Sequence, residues 1–122
     1  MTKEEVAKKY LSFLERGEID NVINLFVDEG IVVSPLYGVL PATEFYKSLS
    51  EDTTSSKLLF DGLFFEKNTN RISLLFDYVW TLKNGKVVEF KVVDILELTP
   101  ENKIKKLTII YDTVNTRSLI GK

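Results

Sequence analysis

The sequence predicts a small α+β domain in which three N-terminal helices pack on one face of a curved, mostly antiparallel sheet. The N-terminal part carries apolar side chains at helical spacing, and the rest contains long runs rich in β-branched and aromatic residues. The dipeptide Asn84-Gly85 between two of these runs is the strongest hairpin signal in the chain. Helices followed by an antiparallel meander are typical of this class. The 122 residues are enough for a single domain, which spans 1–122.

Three helices are predicted in the N-terminal part. Thr2 and Glu5 have the spacing of a capping box, which starts the first helix, and Gly17 ends it. The second helix runs from about Ile19 to Val27 and ends at Gly30. The third helix is short and carries Phe45, Tyr46 and Leu49.

Five strands are predicted, one before the third helix and four after it. They are Ile31–Ser34, Leu58–Lys67, Ile72–Lys83, Lys86–Leu98 and Lys103–Thr113. If Asn84 and Gly85 form a two-residue type I′ turn, Lys83 pairs with Lys86, and Asp77 then lies opposite Val92. This register decides which side chains share a face of the sheet.

One face of this predicted hairpin carries two acids. Asp77 and Asp94 lie there as diagonal neighbours, roughly 7–8 Å apart, with Val79 and Val92 beside them. Apolar neighbours make this an unfavourable position for a lone carboxylate. Two interpretations of Asp94 stay open. In the first, the carboxylate is bonded to a backbone N–H or a hydroxyl, or it reaches water at the edge of the sheet. In the second, Asp94 is a pocket acid whose pKa is raised by desolvation and by repulsion from Asp77.

The other face of the same hairpin is also apolar. It carries Leu74, Phe76, Tyr78 and Trp80. Because the helices can cover only one face, we expect this one to form the interface of a homodimer. The alternative is that the C-terminal segment covers part of it.

The composition excludes several classes of function. The chain has no cysteine and no histidine, so thiolate catalysis and the commonest general base and metal ligand are absent. The net charge is −2 and no basic run is longer than Lys105-Lys106, so we expect no nucleic-acid partner. No signal peptide or membrane-length apolar stretch is visible, so we expect a cytoplasmic protein without membrane contact. No metal and no cofactor is predicted.

The sequence resembles a known superfamily over nearly its whole length. The run Tyr10-Leu-Ser-Phe-Leu-Glu-Arg-Gly-Glu-Ile-Asp-Asn-Val-Ile-Asn-Leu-Phe26, followed by Asp28-Glu29-Gly30-Ile31-Val32, resembles the opening of ketosteroid isomerases and of the wider nuclear-transport-factor-2-like, SnoaL-like superfamily. The pair Phe45-Tyr46, the Asn84-Gly85 turn with Asp94 nine residues after it, and the last strand fit the same pattern. The resemblance implies a cone-shaped domain of cystatin-like topology around an apolar pocket.

The resemblance to the isomerase also implies roles for single residues. Tyr10 stands where the isomerase keeps its oxyanion-hole tyrosine, and Asp94 where it keeps a protonated aspartic acid. The family's general base is an aspartate directly before Pro35, but this chain has Ser34 there. A serine of ordinary pKa cannot remove an α-proton at neutral pH without a base of its own. By the same resemblance, Leu107, Ile109 and Tyr111 on the last strand take positions that line the isomerase pocket.

Two other branches of the superfamily match less well. Asp77 falls where limonene epoxide hydrolase has one of its paired aspartates, but the arginine two residues earlier is Leu75 and the second aspartate is Ile109. The polyketide-cyclase branch has a catalytic histidine, which this chain lacks.

Two hypotheses about function follow. The first is a pocket protein for a small, mostly apolar ligand with a carbonyl or hydroxyl, which could catalyse proton transfer or isomerisation next to the carbonyl. Its catalytic residues would be Tyr10, Asp94 and Asp77, with Asp77 as the base. Its ligand-binding residues would be Val79, Val92, Leu107, Ile109, Tyr111 and Ser34. The second hypothesis is a non-catalytic ligand-binding or dimeric interaction module that lost its base at Ser34.

Overall fold

The computed structural model describes residues 1–120 and contains four helices and six strands within them. The helices are α1 (Lys3–Glu15), α2 (Ile19–Ile23), α3 (Ala42–Asp52) and α4 (Arg117–Ile120). The strands are β1 (Phe26–Ser34), β2 (Gly38–Pro41), β3 (Thr53–Phe65), β4 (Arg71–Leu82), β5 (Val87–Leu98) and β6 (Ile104–Ile110). All strands form one sheet in the order β2-β1-β6-β5-β4-β3, in which only the β1–β6 pair is parallel. The predicted fold class is confirmed.

Helix α1 begins as its sequence predicts. The Thr2 backbone N–H donates to Glu5 Oε1 (2.9 Å), and the Glu5 backbone N–H donates to Thr2 Oγ1 (3.1 Å). Gly17 follows the helix with φ = +70°, a conformation that glycine adopts without a steric cost. The apolar stripe of α1 is buried against the sheet: Val6, Ala7, Tyr10 and Leu14.

The second helix is shorter than predicted. It ends at Ile23, and β1 already begins at Phe26. Gly30 lies inside β1, where the pairing with β6 shifts between Phe26 and Ile31. A Cβ atom on Gly30 would approach the Phe26 ring to 2.9 Å, so glycine is required here by close packing and not as a helix stop.

The β4–β5 hairpin differs from the predicted register by one residue. The Leu82 N–H donates to the Lys86 carbonyl (2.9 Å), and Thr81 pairs with Val87, so the loop contains three residues instead of two. Gly85 has φ = +84°, and the Asn84 side chain accepts from the Lys86 N–H (2.9 Å). This is the three-residue loop that carries a left-handed glycine. A change of one residue in the loop exchanges the faces of one strand relative to the other.

The observed register shows that the predicted assignment of side chains to the two faces of the β4–β5 hairpin is wrong. Asp94 lies opposite Leu74, and Asp77 lies opposite Lys91. The side chains predicted to lie uncovered, Leu74, Phe76, Tyr78 and Trp80, are buried on the inner face instead. Asp77 and Val79 lie on the outer face, so they do not share a face with Asp94.

The C-terminal segment was predicted to continue β6 to Thr113, but the strand ends at Ile110. Beyond it, the Arg117 guanidinium donates to the Pro35 carbonyl, and Asn84 Nδ2 donates to the Leu119 carbonyl (3.1 Å). The segment thus connects the loop after β1 with the β4–β5 turn. Among residues 1–120, no helix has the length and apolar character needed to span a bilayer.

Candidate ligand-binding site

A cavity lies between helices α1 and α3 and the inner face of the sheet. Its walls are mostly aromatic, and its volume is about 40 Å³. Six of the nine residues that the sequence suggested line it: Tyr10, Ser34, Val92, Asp94, Ile109 and Tyr111. Leu107 is fully buried in the core and does not line the cavity. A space of this size holds a few water molecules with the side chains as they stand.

Asp94 is the buried acid of this cavity. Its side chain projects from the inner face of β5 between the neighbouring strands, opposite Leu74 and Ile109, and the residue is 1% exposed. Its Oδ1 atom has no hydrogen-bond partner among the described residues. Burial raises the pKa of this carboxyl well above its usual range. Burial therefore favours the neutral, protonated form of Asp94, which carries an O–H group that can donate. The predicted repulsion from Asp77 plays no part, because Asp77 lies on the other face.

Tyr10 belongs to a hydroxyl pair. Tyr10 Oη lies 2.8 Å from Tyr46 Oη on helix α3, and either hydroxyl can donate. Both residues are almost fully buried, and burial raises the pKa of both phenols well above the usual value. For Tyr10, the nearby Tyr46 and Asp94 add to this effect. The sequence indicated Tyr46 as an apolar-stripe residue of the third helix but not as the partner of Tyr10.

Ser34 lines the cavity, but its side chain accepts hydrogen bonds from the loop that follows it. Ser34 Oγ accepts hydrogen bonds from the backbone N–H groups of Leu36 (3.1 Å) and Tyr37 (3.2 Å). A serine that accepts from residues two and three positions later fixes a turn. Ser34 therefore orients the loop that carries Tyr37.

Tyr37 and Asp52 form a polar pair at the cavity that sequence reasoning missed. Tyr37 lines the cavity, and its hydroxyl donates to Asp52 Oδ2 (2.5 Å). Asp52 is the last residue of α3, and its backbone carbonyl accepts from the Lys83 N–H (3.1 Å). Burial, together with this hydrogen bond, raises the pKa of Tyr37 far above the usual phenol value. The Ser-Pro-x-Tyr segment indicates a turn that carries Tyr37. Nothing in the sequence indicates that this tyrosine bonds to an acid 15 residues later.

Three rings form one aromatic wall of the cavity. Phe90 stacks on Tyr78 with 5.4 Å between ring centroids and on Tyr111 with 4.3 Å. Tyr78 is buried and shares a hydrogen bond with Ser56 (2.7 Å), whereas Phe90 and Tyr111 are only partly buried. Burial raises the pKa of Tyr111 to about 12. Phe90 and Tyr111 are the part of the wall that can turn outward at the lowest cost in buried apolar area.

Asp77 is not part of this site. On the outer face, its carboxylate lies 3.2 Å from Lys91 Nζ, and the same ammonium lies 2.7 Å from Asp61. All three side chains are at least one-third exposed. The predicted position of Asp77 on the pocket wall is wrong. The predicted position of Val79 is wrong for the same reason, because both residues lie on the outer face. Within residues 1–120, no three acidic side chains converge as metal ligands would.

No protein-family model matches the sequence, and no curated protein sequence matches it. Solved structures do match the fold. An NTF2-like protein of unknown function from Burkholderia pseudomallei superposes with a TM-score of 0.84 over 100% of both chains, at 16% identity. The chain has the NTF2-like fold.

Other matches agree with the NTF2-like fold. SalBIII, an epoxide hydrolase/cyclase-like enzyme in pyran ring formation in the polyether salinomycin, gives a TM-score of 0.80 at 16% identity, over 93% of this chain and 92% of its own. A protein with a cystatin-like fold from Methylobium petroleophilum gives 0.72 at 18% identity, over 89% and 74%. The predicted resemblance is thus confirmed for the fold, and the function has to be argued from the cavity itself.

Proposed function

We propose that the cavity binds a small, mostly apolar molecule through a carbonyl oxygen that accepts a hydrogen bond from neutral Asp94. The observation that carries this proposal is the Oδ1 atom of a buried carboxyl group at a mostly aromatic wall, which has no hydrogen-bond partner within residues 1–120. A buried polar atom without a partner costs free energy that a suitable ligand recovers. Because a neutral carboxyl donates, the ligand atom that meets it has to be an acceptor.

Tyr10 supports the same role as a second donor. When Tyr46 donates to Tyr10 across their 2.8 Å contact, the Tyr10 hydrogen is left for the ligand. A chain of two hydroxyls also strengthens the terminal donor, because each hydrogen bond polarises the next. Tyr10 and Asp94 together then hold one ligand oxygen from two sides.

Two donors on one carbonyl oxygen also favour chemistry at the neighbouring carbon. They stabilise the negative charge that develops on the oxygen when a proton leaves the α-carbon, and each such donor contributes roughly 3–4 kcal/mol in comparable sites. Proton transfer next to a carbonyl is therefore the reaction that the site supports best. The matched enzyme SalBIII is consistent with catalysis on this fold but does not determine the reaction here.

A non-catalytic ligand-binding module is the second candidate, and a specific observation favours it. Among the described cavity-lining residues, Asp94 is the one carboxyl group, since Ser34 replaces the family's base and Asp77 lies outside. A neutral acid donates a proton and does not remove one. Binding therefore needs no further residue, whereas turnover requires a base from elsewhere.

The size of the cavity limits the ligand. A steroid does not fit a volume of about 40 Å³, and a single ring requires partly buried wall residues, such as Phe90 and Tyr111, to turn outward. We therefore expect ligands of about one ring or smaller.

Fluorine NMR of two probes of similar shape tests the proposal. 4-Fluoroacetophenone has a carbonyl, and 1-ethyl-4-fluorobenzene has none. We expect the wild-type protein to bind the ketone roughly tenfold more tightly, the effect of one good hydrogen bond. Asp94→Leu should remove this preference, because leucine has the same branching as aspartate but no group that can donate a hydrogen bond. Equal affinities in the wild-type protein would contradict carbonyl recognition.

A further inference from the structure

Strand β5 extends beyond the end of its neighbour β6, and the chain that follows β6 lies beside this extension. The pairing of β6 with β5 ends at Ile110. The β5 residues Val87–Val92 are therefore paired with β4 on one side, and within residues 1–120 no strand pairs with their other side. We call residues 111–119 the C-terminal strap. Its first residue, Tyr111, stacks on Phe90 in this unpaired part of β5 at 4.3 Å between ring centroids.

The cavity reaches the surface next to the strap. Four of its lining residues are only partly buried, and the other lining residues are buried: Tyr37, Phe90, Ile109 and Tyr111 are the partly buried ones. Phe90 lies on the unpaired part of β5, Ile109 and Tyr111 lie at the end of β6, and Tyr37 follows β1, the parallel neighbour of β6. A molecule that enters the cavity therefore passes the strap.

The strap is fastened on two sides of this opening. The Arg117 guanidinium donates to the Pro35 carbonyl in the loop after β1. Asn84 Nδ2 in the β4–β5 loop donates to the Leu119 carbonyl (3.1 Å), and the Leu119 side chain packs partly against the core. The strap thus spans the opening from one loop to the other.

One residue of the strap is buried at a cost. Thr116 is 0% exposed, and its Oγ1 atom has no hydrogen-bond partner within residues 1–120. A buried hydroxyl without a partner loses the hydrogen bonds that it would form with water. When the strap leaves the opening, this hydroxyl regains water. Opening therefore costs less free energy than the complete burial of Thr116 suggests.

We propose that the C-terminal strap is an autoinhibitory lid, which has to leave the opening before a ring-sized ligand can occupy the cavity. This inference rests on the proposed function, because it concerns admission to the same cavity. With the strap in place, a volume of about 40 Å³ is too small for a ring unless wall residues turn outward. Tyr111 is the wall residue that the strap carries, so moving the strap enlarges the cavity.

The lid determines how substitutions in the strap change affinity. A ligand that binds only the open state has an apparent Kd equal to its intrinsic Kd divided by the open fraction. A substitution that destabilises the closed strap therefore tightens binding, although it removes a contact from the protein. A substitution that stabilises the closed strap weakens binding.

Two strap variants test the lid in opposite directions by fluorine NMR titration. Arg117→Met removes the hydrogen bond to Pro35, and we expect it to tighten the binding of 4-fluoroacetophenone roughly two- to tenfold. Thr116→Val replaces the unpartnered hydroxyl by a methyl group of the same shape, and we expect it to weaken binding by a similar factor. Arg71→Met is the matched control. It removes the ion pair with Glu66 at the β3–β4 hairpin and should leave the affinity unchanged.

Hydrogen exchange measures the position of the strap in the wild-type protein. The backbone N–H groups of Thr116 and Arg117 donate to the Thr113 carbonyl (3.0 and 3.1 Å) in a single turn that is not stable without packing. We expect saturating 4-fluoroacetophenone to accelerate the exchange of these two amides, because the bound ring keeps the strap open. Unchanged or slower exchange would overturn the lid.

A second probe separates failure of the lid from failure of the proposed function. The lid acts on size, so 1-ethyl-4-fluorobenzene should show the same changes in affinity as the ketone. If the wild-type protein does not prefer the ketone but Arg117→Met binds both probes more tightly, carbonyl recognition fails and the lid stands. If the ketone is preferred but Arg117→Met binds it equally or more weakly, the lid is overturned and carbonyl recognition stands. If no variant binds either probe, both fail. Thermal unfolding verifies that each variant is folded, and Thr116→Val decides if Arg117→Met is not.

Discussion

Replacing Asp94 by asparagine should stabilise the protein increasingly as the pH rises. Asparagine has nearly the same shape and is always neutral, so the substitution removes the ionisable group without emptying the space that it fills. Burial raises the pKa of Asp94 in the folded state, whereas the unfolded chain has the ordinary value of about 3.9. Above that value the unfolded state releases the proton and is stabilised by doing so. The folded state keeps its proton and is not stabilised.

The difference between the two pKa values determines how the free energy of unfolding changes with pH. Below about pH 3.9 both states keep the proton, so the wild-type protein has its full stability with respect to this group. As the pH rises toward the folded-state pKa, the free energy of unfolding falls by about 1.4 kcal/mol for each pH unit. The decrease stops once the pH passes the folded-state pKa. Asp94→Asn should lack this decrease, so its advantage over the wild-type protein should grow with pH.

Urea denaturation at intervals from pH 4 to 8 measures the difference. Asp77→Asn is the matched control, because it is the same chemical change on the outer face of the same sheet. It removes a partly exposed ion pair with Lys91 and should cost roughly 0.2–1 kcal/mol. A difference between wild-type and Asp94→Asn that stays constant or shrinks with pH would refute a neutral buried acid. It would indicate a charged, paired aspartate and remove the donor on which carbonyl binding depends.

Further predictions concern the cavity walls and the outer face. Tyr10→Phe leaves the buried Tyr46 hydroxyl without its partner and should lower the free energy of unfolding by about 1–3 kcal/mol; a neutral result in urea unfolding would contradict the pairing. Phe90→Ala removes a partly buried ring and should cost about 1–2 kcal/mol, less than a fully buried one, but should tighten the binding of 4-fluoroacetophenone, which fluorine NMR detects. We also predict that the protein forms a homodimer through the outer face of the sheet. Leu75→Glu on this face should then lower the molecular mass measured by light scattering, whereas the control Val39→Glu on the edge strand β2 should not. A monomeric wild-type protein would contradict the prediction.

The sequence was sufficient for the fold because its local signals agree with one another. The capping box at Thr2, the apolar stripe of α1 and the long β-rich runs each specify an element on their own, and the elements follow in an order that few folds accept. The resemblance implied interior positions for Tyr10 and Asp94, and both residues line the cavity. Their roles stay predictions.

The face of Asp77 could not be predicted, because it depends on one residue in one loop. Asn84-Gly85 is compatible with a two-residue turn and with a three-residue loop that has glycine in the left-handed position. These two loops place Asp77 on opposite faces. The Tyr37–Asp52 pair is beyond sequence reasoning for another reason: its two residues meet only through the packing of α3 against the loop after β1.

The position of β3 at the edge of the sheet has a consequence for the solubility of the protein. Its free side offers backbone groups for pairing with another chain, and Leu59, Phe60, Phe64 and Phe65 are about half exposed or more on this strand. Asp61 interrupts the strand, because the pairing with β4 shifts between Phe60 and Gly62. An irregular edge with a charge at its centre pairs poorly with a second edge. We therefore expect Asp61 and the irregular pairing around it to disfavour fibril formation along this 13-residue strand.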